Sequence, residues 1–446
     1  MVETTHRYLE FIIEMKLSIT FVLMLSGLLA CNPDNITTQT DKDGVVTQQP
    51  FLWKSSISDG TLAYGLYHGY VIDGKGVLSI AIQKSADPKV YGDFYLQLKD
   101  VNTGENIWIW DDFYKKQIER TFHGSIVVNE GKLLLHDRYS DYCINYQTGK
   151  TVWKSQRGFF SSDGPTNIGN NYFISGIPPT SKDHKKIDDS MFMGDLNSEK
   201  ITEVIKPSYS DEFTAYNGEE TYIGSIYRHK AFLVGTETML LIPYDEIGPQ
   251  VKYNNTRSFF GLYNYSKNTW VYKRAPLSIE EDGSSPSLMP IIDHDKVFLT
   301  SFNSVGCFDL LSGKRIWQYR MTSAQMMGLD IIKAGNKLII NGTDGTIYCM
   351  DAGNGAMLWS KASTATNSDL YHQDGILYCI RGDNLRAYDL QNGKLLWDMP
   401  SLDARVENNR GSIFNGFVTG IPAQNGRKGR IFVSTELNVY CFEAVN

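Results

Sequence analysis

The stretch Asp351-Ala352-Gly353-Asn354-Gly355-Ala356-Met357-Leu358-Trp359 sets an acid four residues before a glycine and eight residues before a tryptophan. The spacing returns at Asp389, Gly393 and Trp397, at Asp309, Gly313 and Trp317, and at Asp100, Gly104 and Trp108. Asn145, Gly149 and Trp153 repeat it with an amide for the acid; Asn264, Asn268 and Tyr272 repeat it with asparagine for the glycine. Self-similarity at a period of roughly forty to fifty residues decides the architecture before any single residue does.

Each position has a physical job. The run Thr346-Ile347-Tyr348-Cys349-Met350 before the acid is apolar and alternating, as a strand requires. The Asp or Asn side chain can bond backbone N–H groups as the chain turns. Glycine supplies positive φ at the tightest point, and asparagine is the next best residue there. A second strand ends on a large flat side chain able to bury area against a neighbouring unit. One such hairpin cannot close a core, but radially stacked units can.

With the acid or amide as marker, units fall at Asp100, Asn145, Asp195, Asn264, Asp309, Asp351, Asp389 and Glu443, at steps of 38 to 69 residues. Asp195 is the weakest, with Glu199 and Glu203 in the glycine and tryptophan places. The long step after it holds an insertion, 196–263, whose apolar runs near Ala231 to Pro243 suit lengthened strands or a divergent extra unit. Earlier strands precede the markers, and one more upstream gives each unit four. The last unit lacks its outer strand, which Phe51-Leu52-Trp53-Lys54 can supply. The expected fold is therefore all-β: an eight-bladed β-propeller closed by its N- and C-terminal strands, with seven blades as the alternative. Closure of this kind removes an exposed sheet edge.

The repeat carried by Ala387-Tyr388-Asp389 through Gly393 to Trp397 and its copies resembles the quinoprotein-like (pyrroloquinoline-quinone-type) β-propeller family. There the unit is a tryptophan-docking motif, with indoles packed between blades. The resemblance spans residues 50 to 446 and implies the fold; many chemistries and binding roles share it. Dehydrogenases of the family carry an adjacent-cysteine disulfide, a Ca²⁺ site and a catalytic Asp. No Cys-Cys pair occurs in this chain. The chain is also similar to the lipoprotein subunit of the outer-membrane β-barrel assembly machinery, which implies a binding platform without catalytic residues.

Residues 1–30 read as a signal peptide of lipoprotein type: Lys16, an apolar run from Leu17, then Leu28-Leu29-Ala30-Cys31. Leu-Leu-Ala-Cys resembles a bacterial lipobox, which implies lipidation of Cys31 and cleavage before it. Residues 31–49, rich in Asn, Thr, Gln and Asp, are expected as a flexible tether, and 50–446 as the propeller. The formal net charge of −7, with no basic block, argues against nucleic acid as a partner. The expected location is the outer membrane, facing periplasm or surface, and the expected state is a monomer.

Candidate chemistry is sparse. Cys143, Cys307, Cys349 and Cys441 each stand two residues before a marker, one equivalent position in four units, and Cys379 lies on an earlier strand. They read as buried free thiols. No metal site and no cofactor are expected: the histidines lack ligand spacing, and Asp293-His294-Asp295 and Asp111-Asp112 read as loop charges. No Walker loop or G-x-S-x-G elbow is present. The reading is a binding module for an envelope protein or a glycan, with Tyr253, Tyr263 and Tyr265 as candidate contacts. A quinone-dependent dehydrogenase is the remaining alternative.

Overall fold

The structure, a computed structural model, describes residues 36–57, 70–82, 94–114, 126–137, 139–159, 161, 164–177, 189–205, 222–247, 257–277, 289–301, 304–320, 328–342, 344–362, 368–403, 413–435 and 437–445. Among these residues there is no helix. The strands form eight antiparallel sheets, so the alternative of seven blades falls. In chain order the blades span 70–110, 126–156, 166–205, 222–276, 291–320, 328–362 and 371–399, and the eighth joins 414–443 to 51–56. Seven markers, from Asp100 to Glu443, end the third strand of their blade, and Asn264 ends the fourth strand of the five-stranded fourth blade.

The ring closes where sequence placed it. Phe51–Ser56 lies antiparallel to Asn438–Glu443, with Trp53 opposite Cys441. Asp403 fastens this seam from the seventh-to-eighth connection. It accepts from Thr435 Oγ1 at 2.6 Å and Asn438 Nδ2 at 2.8 Å, and meets Lys54 Nζ at 2.7 Å. From the first blade, Lys99 Nζ donates to Ser55 Oγ at 2.8 Å.

Among the described residues the buried apolar side chains gather into eight clusters, each shared by two neighbouring blades. The alternation of a strand explains this. In Lys337–Gly342, Leu338 and Ile340 face the fifth blade while Ile339 faces the seventh. Both faces of a blade are buried, so its middle strands read as nearly unbroken apolar runs.

At the outer end of six of the junctions an aromatic crosses to the next blade and bonds it. The indole N–H of Trp53 donates to Val101 O at 2.9 Å, Trp108 to Tyr146 O at 2.7 Å, and Trp153 to Leu196 O at 2.9 Å. Trp317 reaches Ala352 O and Trp359 reaches Leu390 O, both at 3.1 Å. Tyr272 does the same with its hydroxyl, donating to Leu310 O at 3.0 Å. Every acceptor is the residue directly after the next marker. Except for Trp153, whose partner turn has no glycine, the ring of each rests on the next unit's glycine: a Cβ on Gly355 (φ +74) would lie 2.6 Å from Trp317. The marker side chain holds the turn in place. Asp351 Oδ1 accepts from Gly353 N at 2.8 Å and Asn354 N at 3.1 Å.

Two expectations are corrected. In the third blade the turn Asp195-Leu196-Asn197-Ser198 is short, pairing Asp195 with Ser198, so Thr202 and not Glu203 stands opposite Met193 in the docking place. Residues from 36 onward in the supposed tether 31–49 are docked: Gln39–Thr40 and Val46–Gln48 form a hairpin on the seventh blade, with Val46 parallel to Trp397. The insertion 196–263 is no extra blade. Its strand Glu237–Ile247 is long enough to pair with Lys230–Val234 and Tyr222–Ile226 along one edge and Arg257–Asn264 on the other.

Gly355→Ala combines a left-handed φ with a clash against Trp317 and is expected to cost about 2–4 kcal/mol. Gly335→Ala (φ +58), with open space around the new Cβ, is expected to cost only about 1 kcal/mol. Denaturant unfolding of the two variants measures the difference, and equal losses would show that docking on the glycine contributes nothing.

Candidate interaction surface

The docking geometry leaves a signature on the rim. In seven blades the register skips one residue just before the docking aromatic, a β-bulge on the outer strand. Cys143 pairs with Trp153 and Ile144 with Thr151, leaving Val152 bulged. Leu52, Ile107, Val271, Ile316, Leu358 and Leu396 are bulged in the same way. A bulge bends and twists the strand, here aiming the aromatic across the junction, and it blunts the open edge. The extra residue faces outward. Leu52, Ile107, Ile109 and Val152, on the consecutive eighth, first and second blades, are 45% to 54% exposed. Leu396 is the exception, partly buried in the cluster that also takes Ile36 and Val46 of the docked hairpin.

The candidate contact tyrosines lie elsewhere and do other work. Tyr253 lies outside the described residues. Tyr263 is buried, edge-on to Trp270 at 5.1 Å, and its hydroxyl donates to Asn268 Oδ1. Tyr265 reaches back to the third blade, 5.1 Å from the Phe173 ring and 2.9 Å from the Met193 sulfur. It fills the junction that Thr202 cannot. Tyr263 and Tyr265 are thus packing residues and do not form an exposed aromatic surface.

A buried polar network between the second and third blades escaped the sequence reading. His136 Nδ1 meets Asp141 Oδ1 at 2.9 Å, Arg157 Nε lies 3.5 Å from the same oxygen, and Tyr172 OH donates to Asp141 Oδ2 at 3.2 Å. Arg157 also donates to Asp137 O and lies over the Phe159 ring. Burial opposes ionisation of Asp141, yet Arg157, His136 and Tyr172 outweigh it and hold its carboxyl below the ordinary range. Burial dominates at Asp137 and raises its carboxyl. The signal was present as His136-Asp137 breaking into the apolar run Leu133-Leu134-Leu135.

The loop acids behave as surface charges. Asp112 pairs with Lys154 at 2.5 Å, and Asp293 with Lys333 at 3.0 Å. Among the described residues no three His, Cys, Asp or Glu side chains converge as a metal site would require. Cys31 lies outside the described residues. Cys143, Cys307, Cys349, Cys379 and Cys441 are buried and free, and burial pushes the Cys143 thiol up to about 12.

The class that the fold defines is an eight-bladed β-propeller, with repeats similar to the pyrroloquinoline-quinone-like type. Residues 301–403 match the family profile described as "Outer membrane protein assembly factor BamB". The chain is similar to the curated BamB of Francisella salina, 31% identical over 126 residues. That match covers 26% of this chain and 24% of the relative, so the chain spans about a quarter of it. BamB from Moraxella catarrhalis superposes with a TM-score of 0.52 at 12% identity, covering 88% of this chain and 99% of that one. The quinohemoprotein alcohol dehydrogenase of Comamonas testosteroni superposes at 0.59 and 9% identity, covering 88% and 76%. The structural likenesses show the fold; together with the sequence matches they make this chain a propeller similar to BamB.

Two outcomes follow. In a Cys31→Ser chain a thiol reagent is expected to find no reactive cysteine in the native fold and all five after unfolding; a native titre above zero would mean the thiols are accessible. Because the folded Asp141 pKa is depressed, its contribution is present above the unfolded value and is lost as pH falls through the folded one. Arg157→Met strands that carboxylate and is expected to cost about 3–5 kcal/mol at neutral pH. In acid, where Asp141 is protonated, the gap between the variant and the parent should narrow, as pH-dependent unfolding would show.

Proposed function

We propose that this chain is a lipid-anchored docking platform of the bacterial cell envelope, held at the outer membrane through Cys31 and binding a protein partner along its rim. The observation that carries the reading is the set of aliphatic side chains that the bulges turn outward around the rim, Leu52, Ile107 and Val152 on the eighth, first and second blades and Val271, Ile316 and Leu358 on the fourth, fifth and sixth, each 45% to 49% exposed. Exposed apolar side chains repeated along the rim of a propeller suit a protein interface better than a polar ligand. Similarity to BamB, an outer membrane protein assembly factor, supports the compartment and the non-catalytic role. The Leu28-Leu29-Ala30-Cys31 motif supports the anchor.

Photo-crosslinking from position 109 in intact cells is expected to give one discrete adduct with an envelope protein, and position 199, exposed on the polar outer strand of the third blade, none. Ile109→Glu together with Leu52→Glu should lower recovery of that adduct at least ~10-fold, a loss of about 1.4 kcal/mol or more, with an unchanged melting temperature. Undiminished recovery, or oxidation of an alcohol after loading with pyrroloquinoline quinone and Ca²⁺, would sink the proposal.

A further inference from the structure

The N-terminal hairpin fixes where the chain leaves the ring. Asp41 Oδ1 accepts from Asp43 N and Val45 N, both at 2.9 Å, and Asp41 N donates to Val45 O at 2.9 Å, closing the turn. Val45 is buried, and Ile36 and Val46 pack against the cluster between the seventh and eighth blades. Gln49 Nε2 donates to Glu443 O at 3.0 Å, tying the end of the hairpin to the eighth blade. Ile36, packed on that cluster, stands five residues after Cys31.

We propose that the docked hairpin turns the edge of the seventh blade toward the lipid bilayer and fixes the orientation of the ring. This rests on lipidation of Cys31. Five residues span at most ~17 Å, whereas a flexible tether of nineteen would reach ~24 Å on average and ~65 Å when extended. A domain of this size has a radius of gyration of about 21 Å. A leash of ~17 Å keeps the seventh blade beside the membrane and the third, four blades away, on the distal side. Gln39, Thr40, Lys42 and Asp43 on the hairpin are exposed and polar, so the contact is at headgroup level and not an insertion.

The test uses the full lipidated chain in liposomes containing nitroxide-labelled lipid. Single cysteines at exposed positions, Lys42→Cys on the hairpin and Glu199→Cys on the third blade, carry a fluorophore; the buried thiols stay unlabelled. Quenching at position 42 is expected to exceed that at 199 several-fold, and Val46→Asp, which undocks the hairpin, should shrink the ratio toward one. Equal quenching in the lipidated parent would overturn the orientation while leaving the anchor standing. Failure of the chain to incorporate labelled fatty acid, or membrane retention unchanged by Cys31→Ser, would overturn the anchor itself and the orientation with it.

Discussion

The ring depends on one reach across a gap: an aromatic from the outer strand of one blade donates to the carbonyl just past the marker of the next. A blade buries both faces, so its neighbours must meet along their whole radial length. Near the hub aliphatic side chains suffice. Toward the rim the blades splay, and a wide plate is needed to fill the wedge. An indole supplies the plate and a donor for a carbonyl left over by the turn. The plate lies so close that only glycine fits beneath it: a Cβ at Gly104, Gly149, Gly355 or Gly393 would come within 2.9 Å of a ring atom. Acid, glycine and tryptophan are thus three parts of one contact, although the contact joins two different units.

The junction between the third and fourth blades shows what happens without it. The third blade turns too tightly for the glycine step, and Thr202 stands where the indole should be. Tyr265, from the fourth blade, leans back onto Met193 and Phe173. The aromatic comes from the opposite side of the gap, so the wedge is filled with the polarity of docking reversed. The long strand Glu237–Ile247 belongs to the same blade and extends its sheet. Irregular repeat and irregular junction coincide.

This is why blade number, blade boundaries and ring closure were legible, whereas the tyrosines were not. Spacing along the chain reports local turns and strands, and Asp389 to Trp397 needs nothing beyond its own nine residues to be recognised. Whether Tyr263 and Tyr265 face solvent depends on what the preceding blade offers, and that was a missing tryptophan fifty residues and more upstream. Polar composition misled at 36–48 for a related reason. The hairpin holds on by Val45, Val46, Ile36 and backbone pairing, too little apolar content to stand out in a window rich in Gln, Thr and Asp. The His136–Asp141–Arg157 network was hidden because its members come from two strands and a connection, brought together only when the blade forms.

The rim combines two demands that usually conflict. An outer strand with free N–H and C=O groups invites pairing with other chains, and a bulge spoils that pairing. The same bulge pushes an aliphatic residue outward, which creates an apolar edge that cannot be extended by ordinary sheet growth. A partner can then be held by side chains without the ring polymerising through its edges. The seventh blade shows the alternative: its edge is occupied by the chain's own Val46, and its bulged Leu396 is no longer exposed like its counterparts. The protein thus treats one edge as a seat for its own N-terminal segment and leaves other edges apolar but interrupted.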